Sequence, residues 1–353
     1  MNSPARPDRG PHPLSLFLSM AMRVTANDPV RMARLLDGLN RYQNAPLPPA
    51  MPAMPIILQR GGTALREVAP ASAGARTIVV VPSLINAPRV LDLAPDRSFV
   101  RHLAAQGHHV LMVDWGDCTR GERRLGLAGM VSARLVPLLR QLPGRVDIIG
   151  YCLGGTLALA AAARVGQQCR SLALIAAPWH FDGFPPSARL HAAEVWSAIR
   201  PMGRMLGAIP ISLLNPLFWS LDEQAVIAKF ERLASCAADD PQVAWFASVE
   251  DWANSGAPLS PATARDLFSY GFARDRIGQG KWRVGGVPLR PESLACPLFD
   301  AGASADRIVP PAARIRRPGV ERITVAAGHV GMVVGTHARA QLWEPLSNWL
   351  QAQ

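Results

Sequence analysis

The chain has 353 residues, 49% apolar and 18% charged, which is enough apolar material for a large core and too little charge for a disordered chain. Its formal net charge of +11 is carried almost wholly by arginine, Lys229 and Lys281 being the two lysines. No run reaches the ~18 uninterrupted apolar residues of a membrane span, and no recognised motif or aromatic–basic repeat points to nucleic acid.

Residues 1–13 are proline-rich. The stretch 14–41 reads as one amphipathic helix, or as two with a break at Asn27-Asp28-Pro29, where Pro29 opens the second helix and Asp28 caps it. Its apolar face, Met32, Leu35, Leu36 and Leu39, is expected to pack on the core, with a partner or a hydrophobic particle surface as the alternative. The apolar run at 14–22 follows Arg6 and Arg9 as an export signal would, but it is short, broken by serine, lacks a clear cleavage site and continues with helical spacing. A proline-rich linker fills 45–55.

Two short strands, 56–59 and 63–68, flank the hairpin signal Gly61-Gly62. An alternation of strands and helices follows: strand 77–81, helix 97–106 stopped by Gly107, strand 110–113, helix 125–142, strand 146–149, helix 155–165 and strand 172–176. This rhythm predicts βαβ units around a parallel sheet buried on both faces. It stops at Pro178 and resumes with strands 297–301 and 322–326 and a helix at 341–350. The expected organisation is an N-terminal helical arm and linker (1–55), an α/β core (56–177 and 291–353) and an inserted cap or lid (178–290), which would gate substrate entry.

The chemistry centres on Gly150-Tyr-Cys152-Leu-Gly154-Gly155, which joins the apolar strand at 146–149 to an Ala/Leu-rich helix. A strand, a sharp turn around a central nucleophile and a helix make a nucleophile elbow, with cysteine in place of serine. Glycines two before and two after the nucleophile let strand and helix approach closely. The thiol is expected to be exposed at the end of the sheet, at a helix N-terminus whose dipole favours an anion. Alone, such a turn is equally compatible with a buried, inert thiol.

An acid and a base should follow in the order nucleophile, Asp, His, each beyond a late strand. Asp306 lies after strand 297–301 and His329 after strand 322–326. His329 would take the thiol proton, and Asp306 would fix its tautomer. Asp300 is a rival acid nearer its strand, and His180, beside Trp179, is a candidate pocket residue. For an oxyanion hole, one backbone N–H is expected from Leu153 and a second from Leu84 or Ser83 in the loop after strand 77–81. No metal site or cofactor is expected. The five cysteines, Cys118, Cys152, Cys169, Cys236 and Cys296, are odd in number and show no metal-like C-x-x-C spacing, which fits a reduced, cytoplasmic chain. All but Cys152 are expected to be dispensable for chemistry.

These residues resemble the polyhydroxyalkanoate synthases, α/β-hydrolase-fold enzymes that polymerise (R)-3-hydroxyacyl-CoA through a cysteine. The likeness runs through the cysteine-containing lipase-like box at 150–155, the segments 81–93, 97–108 and 113–116, the cap-like stretches 214–218 and 249–286, and the acid and base motifs at 306–310 and 328–331. The length is similar to that of the short class III catalytic subunits. The resemblance implies an α/β-hydrolase fold, a mostly parallel central sheet with helices on both faces and a large inserted cap. It implies acyl transfer with 3-hydroxyacyl-CoA as substrate and release of CoA, a nascent polyester or storage-granule surface as partner, and a homodimer or a hetero-oligomer with a second synthase subunit. The alternative is a cysteine-dependent hydrolase of the same fold, an intracellular polyester depolymerase or a thioesterase. Ala326-Ala327 ahead of Gly328-His329 and the segment 179–182 depart from the family pattern.

Overall fold

In a computed structural model, the described residues are 9–353, apart from 27, 48–49, 71, 73, 118–120 and 238. Cys118 and Asn27 thus lie outside the described residues. The chain forms two compact units, one of residues 1–51 and 210–256, the other of 52–209 and 257–353. The expected arm and cap are grouped differently here: the middle of the 178–290 segment associates with the N-terminal helices.

The first unit is helical. Helix Leu14–Val24 is followed by helix Pro29–Asn44, and Asp28 caps the second by accepting from the N–H groups of Val30 and Arg31, both at 3.0 Å. Of the two readings of this stretch, one helix or two, the structure has two. Phe17, Leu35, Leu39 and Tyr42 pack with Ile227, Phe230 and Leu233 of helix Glu223–Ala234. Each buried side chain of this size contributes about 1.5–3 kcal/mol. Gly38 is required at this contact, since a Cβ there would overlap the Phe230 carbonyl. Leu36 faces outward, 45% exposed, against the expectation that it joins the packed face. Arg31 pairs with Glu231 at 2.6 Å and Lys229 with Glu250 at 2.6 Å.

The second unit is built on a sheet. Its strands are β1 (Ile56–Arg60), β2 (Thr63–Glu67), β3 (Thr77–Val81), β4 (His109–Asp114), β5 (Val146–Tyr151) and β6 (Cys169–Ile175). A two-stranded ribbon follows, β7 (Arg283–Val284) with β8 (Val287–Pro288), and then β9 (Leu298–Ala303) and β10 (Glu321–Val325). The eight-stranded sheet has the order β1-β2-β4-β3-β5-β6-β9-β10. β1/β2 and β2/β4 are antiparallel and every other pair is parallel. β3 and β5 are buried along their whole length, as apolar strands covered on both faces must be. The fold is an α/β-hydrolase fold, as expected. β6 begins at Cys169, earlier than expected, and β5 extends through the elbow to Tyr151. Among the described residues no helix is long and apolar enough to cross a membrane.

Candidate active site

β5 ends directly before Cys152, and helix Leu153–Val165 starts directly after it. Cys152 has φ 54° and ψ −133°, a left-handed conformation unfavourable for a side-chain-bearing residue. The surroundings hold it there. Its N–H donates to the Ile175 carbonyl at 2.9 Å, and its carbonyl accepts from the Gly155 N–H at 2.8 Å. The three elbow glycines are sterically required. A Cβ on Gly150 would overlap Gly155, one on Gly154 would overlap the Val81 and Pro82 carbonyls, and one on Gly155 would overlap the Ala177 side chain. The thiol is half-buried rather than fully exposed.

Asp306 and His329, the expected acid and base, lie on the loops beyond β9 and β10. These strands run parallel with Ala303 opposite Val325, and the Ala305 N–H donates to the Ala327 carbonyl at 3.0 Å, joining the two loops. Asp306 Oδ1 accepts from the N–H groups of Ile308 and Val309, both at 2.8 Å. This turn aims Oδ2 at His329, 2.8 Å from Nδ1. Cys152 is close enough to His329 to shift the ionisation of its ring, and with Nδ1 engaged by Asp306, Nε2 is the nitrogen left for the thiol. Both Asp306 and His329 are buried.

Burial favours the neutral His329 imidazole. The electrostatic interaction with Cys152, the hydrogen bond from His329 to Asp306 and the Asp306 charge outweigh it, and the pKa is raised to about 10. The arrangement therefore favours a proton on the buried His329.

Asp300, the rival acid, lies elsewhere. It is fully buried inside β9, with Arg314 at 3.0 Å and Arg322 at 3.6 Å. Burial raises its pKa against the pull of these arginines. It is part of a structural ion cluster and does not meet His329.

The loop after β3 begins beside the elbow, where the Pro82 carbonyl abuts Gly154 and accepts from Trp115 Nε1 at 2.9 Å. In that loop Ser83 Oγ accepts from the Ile85 N–H at 3.2 Å. Leu153 is the first residue of the elbow helix. The Leu153, Ser83 and Leu84 N–H groups make no hydrogen bond to protein among the described residues, so all three are available as donors. Ser83 is turned toward its own loop, and nothing in its bonding singles it out over Leu84.

Tyr151 was not anticipated. It is buried, its ring lies 5.2 Å from the His329 ring, and its hydroxyl donates to the His329 carbonyl at 3.4 Å. Burial raises its pKa well above the usual value, and the Cys152 and Asp306 charges add to this. Its place between glycine and the nucleophile was a legible signal, since the residue preceding an elbow nucleophile is the last of its strand. His180 is half-buried, and its ligand atoms lie within 4.8 Å of those of Asp182 and Asp275. Asp275 Oδ1 is already engaged by the Phe181 and Gly278 N–H groups, and Asp182 by Arg316.

Fold and elbow define the class: this is an α/β-hydrolase-fold chain, and residues 77–206 match the family model described as "alpha/beta hydrolase fold". Its curated relatives are narrower in kind. The chain is 28% identical to the "Poly(3-hydroxyalkanoate) polymerase subunit PhaC" of Haloferax mediterranei, over 77% of this chain and 58% of that protein. It is 26% identical to the PhaC of Allochromatium vinosum, over 77% of this chain and 80% of that one. The match thus spans a little over half the length of the Haloferax protein. Among solved structures, a thermophilic esterase from Thermogutta terrifontis superposes with a TM-score of 0.50 at 15% identity, covering 86% of this chain and 99% of that one; this is a likeness of fold. The resemblance to the polyhydroxyalkanoate synthases is thus sustained by curated relatives across most of the chain.

Proposed function

We propose that the protein is an acyltransferase that takes 3-hydroxyacyl groups from CoA thioesters onto Cys152 and passes them to the 3-hydroxyl of another hydroxyacyl unit, building a polyester. The observation that carries this is the His329–Asp306 hydrogen bond set beside the elbow cysteine Cys152 at the carboxyl edge of the sheet, in a chain whose relatives bear the name of such polymerases.

In this reading the Cys152 sulfur attacks the thioester carbonyl. The tetrahedral oxyanion is held by the Leu153 N–H and a second donor from Leu84 or Ser83. The C–S bond to CoA breaks, and His329 protonates the departing CoA thiolate. A 3-hydroxyl then gives its proton to His329 as its oxygen attacks the Cys152 thioester, and the cysteine sulfur leaves. Asp306 holds the imidazole with Nε2 toward the reacting atoms.

Cysteine suits transfer better than serine would. A cysteine thioester keeps the acyl group as activated as it was on CoA, so the second step still runs downhill to an oxygen ester. The substrate, the polyester product and a second copy or second subunit as partner belong to this proposal, as does association with a storage-granule surface.

The test is product analysis. Incubation with 3-hydroxybutyryl-CoA should release CoA and leave hydroxybutyrate oligomers. Free monomeric acid as the sole product would replace this reading by the hydrolase one.

A further inference from the structure

The opposite edge of the sheet holds a second pair of reactive groups, which the acyl-transfer reading does not use. Cys169 opens β6, and Cys296 lies two residues before β9, the strand paired with β6. Their Sγ atoms are 3.7 Å apart. Both are buried, but Cys296 sits between exposed Ala295 and Pro297 at the surface-facing end of its strand. We infer that Cys169 and Cys296 form an oxidisable dithiol, a modification site at which a hydroperoxide closes a disulfide that staples β6 to β9 and leaves Cys152 free.

The two thiols are not equivalent. The Cys169 thiol donates to Cys296 Sγ and lies 3.4 Å from the Ser171 carbonyl. That hydrogen bond, then burial and the nearby Asp147 charge, hold its proton on. Cys296 receives the hydrogen bond and faces Arg317 and Arg145, which lower its pKa against the effect of burial. The hydrogen bond from Cys169 to Cys296 favours Cys296 as the attacking sulfur and Cys169 as the resolving thiol, the division of labour that peroxide-sensitive pairs require.

The step balances as follows. The Cys296 thiol gives up its proton as its sulfur attacks the O–O bond of the hydroperoxide, an S–OH group forms, and the departing hydroxide or alkoxide takes up that proton to leave as water or an alcohol. The Cys169 sulfur then attacks the Cys296 sulfur, the S–S bond forms, and the hydroxide leaves with the Cys169 proton as water. Two thiols lose two electrons, and one hydroperoxide is reduced. Closure requires the sulfurs to approach from 3.7 Å to about 2.05 Å. The cross-link joins residues far apart in sequence, so it restricts the unfolded chain strongly.

The experiment uses the whole wild-type chain. It is treated with stoichiometric hydrogen peroxide, digested under alkylating, non-reducing conditions, and mapped by mass spectrometry. The expected product is a peptide pair joined through Cys169 and Cys296, lighter by about two daltons than the dithiol form, with Cys152 still alkylatable. The treated protein should unfold at a temperature several degrees higher, and dithiothreitol should reverse the shift. The Cys152→Ala variant should form the same bond, and Cys169→Ser and Cys296→Ser should not gain stability on treatment. Oxidation of Cys152 ahead of the pair, a bond between Cys152 and either partner, or an unchanged unfolding temperature in protein carrying the mapped bond would overturn the inference.

Discussion

The two edges of one sheet handle charge in opposite ways. At the amino edge, Asp147 is fully buried, bound by both arms of Arg76 and by Ser171 Oγ at 2.6 Å. Its charge is matched on the spot, beside a register irregularity between Val146 and Asp147 where β5 pairs with β6. At the carboxyl edge, Asp306 spends one oxygen on its own turn and aims the other at His329, which in turn meets a thiol on a strained residue. The same strands support both edges. What differs is that loops at the carboxyl edge bring a carboxylate, an imidazole and a thiol together, with Asp306 bonded to a titratable histidine rather than to an arginine.

The comparison is tested most severely by removing the nucleophile. Cys152→Ala should lower CoA release from 3-hydroxybutyryl-CoA by at least ~10³-fold, as should His329→Ala, because groups that act as a unit fail together. Melting temperatures within a few degrees of wild type would assign the loss to chemistry.

The two carboxylates near β9 should separate cleanly. Asp306→Asn should cost about 10²- to 10⁴-fold in rate with modest loss of stability. Asp300→Ala should leave Arg314 buried without its partner and cost about 3–5 kcal/mol of stability. Denaturant titration beside the rate assay distinguishes them, and equal effects on both readouts would erase the contrast between the sites.

The pH dependence has a definite sign. His329 ionises near 6.5 when unfolded and at about 10 when folded. The folded state therefore binds the extra proton, and the stabilisation is complete below about 6.5 and lost as pH rises toward 10. Wild-type unfolding free energy should fall across that interval, and His329→Ala should flatten the fall; parallel curves would contradict the assignment of the proton. The smallest effect is expected at Trp115→Phe, which loses the indole bond to the Pro82 carbonyl and about 1 kcal/mol.

Much of this was legible in sequence because it is local. The alternation of apolar runs gave the parallel strands, and the glycines around Cys152 gave the elbow, since each glycine stands where a Cβ has no room. Asp306 and His329 were legible because chain order and strand ends place them. What sequence did not show is the pairing that occupies the rival Asp300 with Arg314 and Arg322, which leaves no periodic trace. The helical unit was hidden for the same reason. Contacts such as Tyr42 Oη to Asp251 at 2.9 Å join segments about two hundred residues apart, and helical periodicity says which face is apolar but not which partner covers it. Leu36 shows this limit within a single helix. Tyr151 escaped because an aromatic at a strand end reads as core until a histidine is found against it.

The most direct test is to trap the acyl group. Wild-type protein mixed with 3-hydroxybutyryl-CoA and quenched in acid should carry a hydroxybutyryl adduct, mapped to the peptide containing Cys152 and removed by neutral hydroxylamine. Release of CoA from protein whose Cys152 remains unacylated throughout turnover, or undiminished release from Cys152→Ala, would contradict the account.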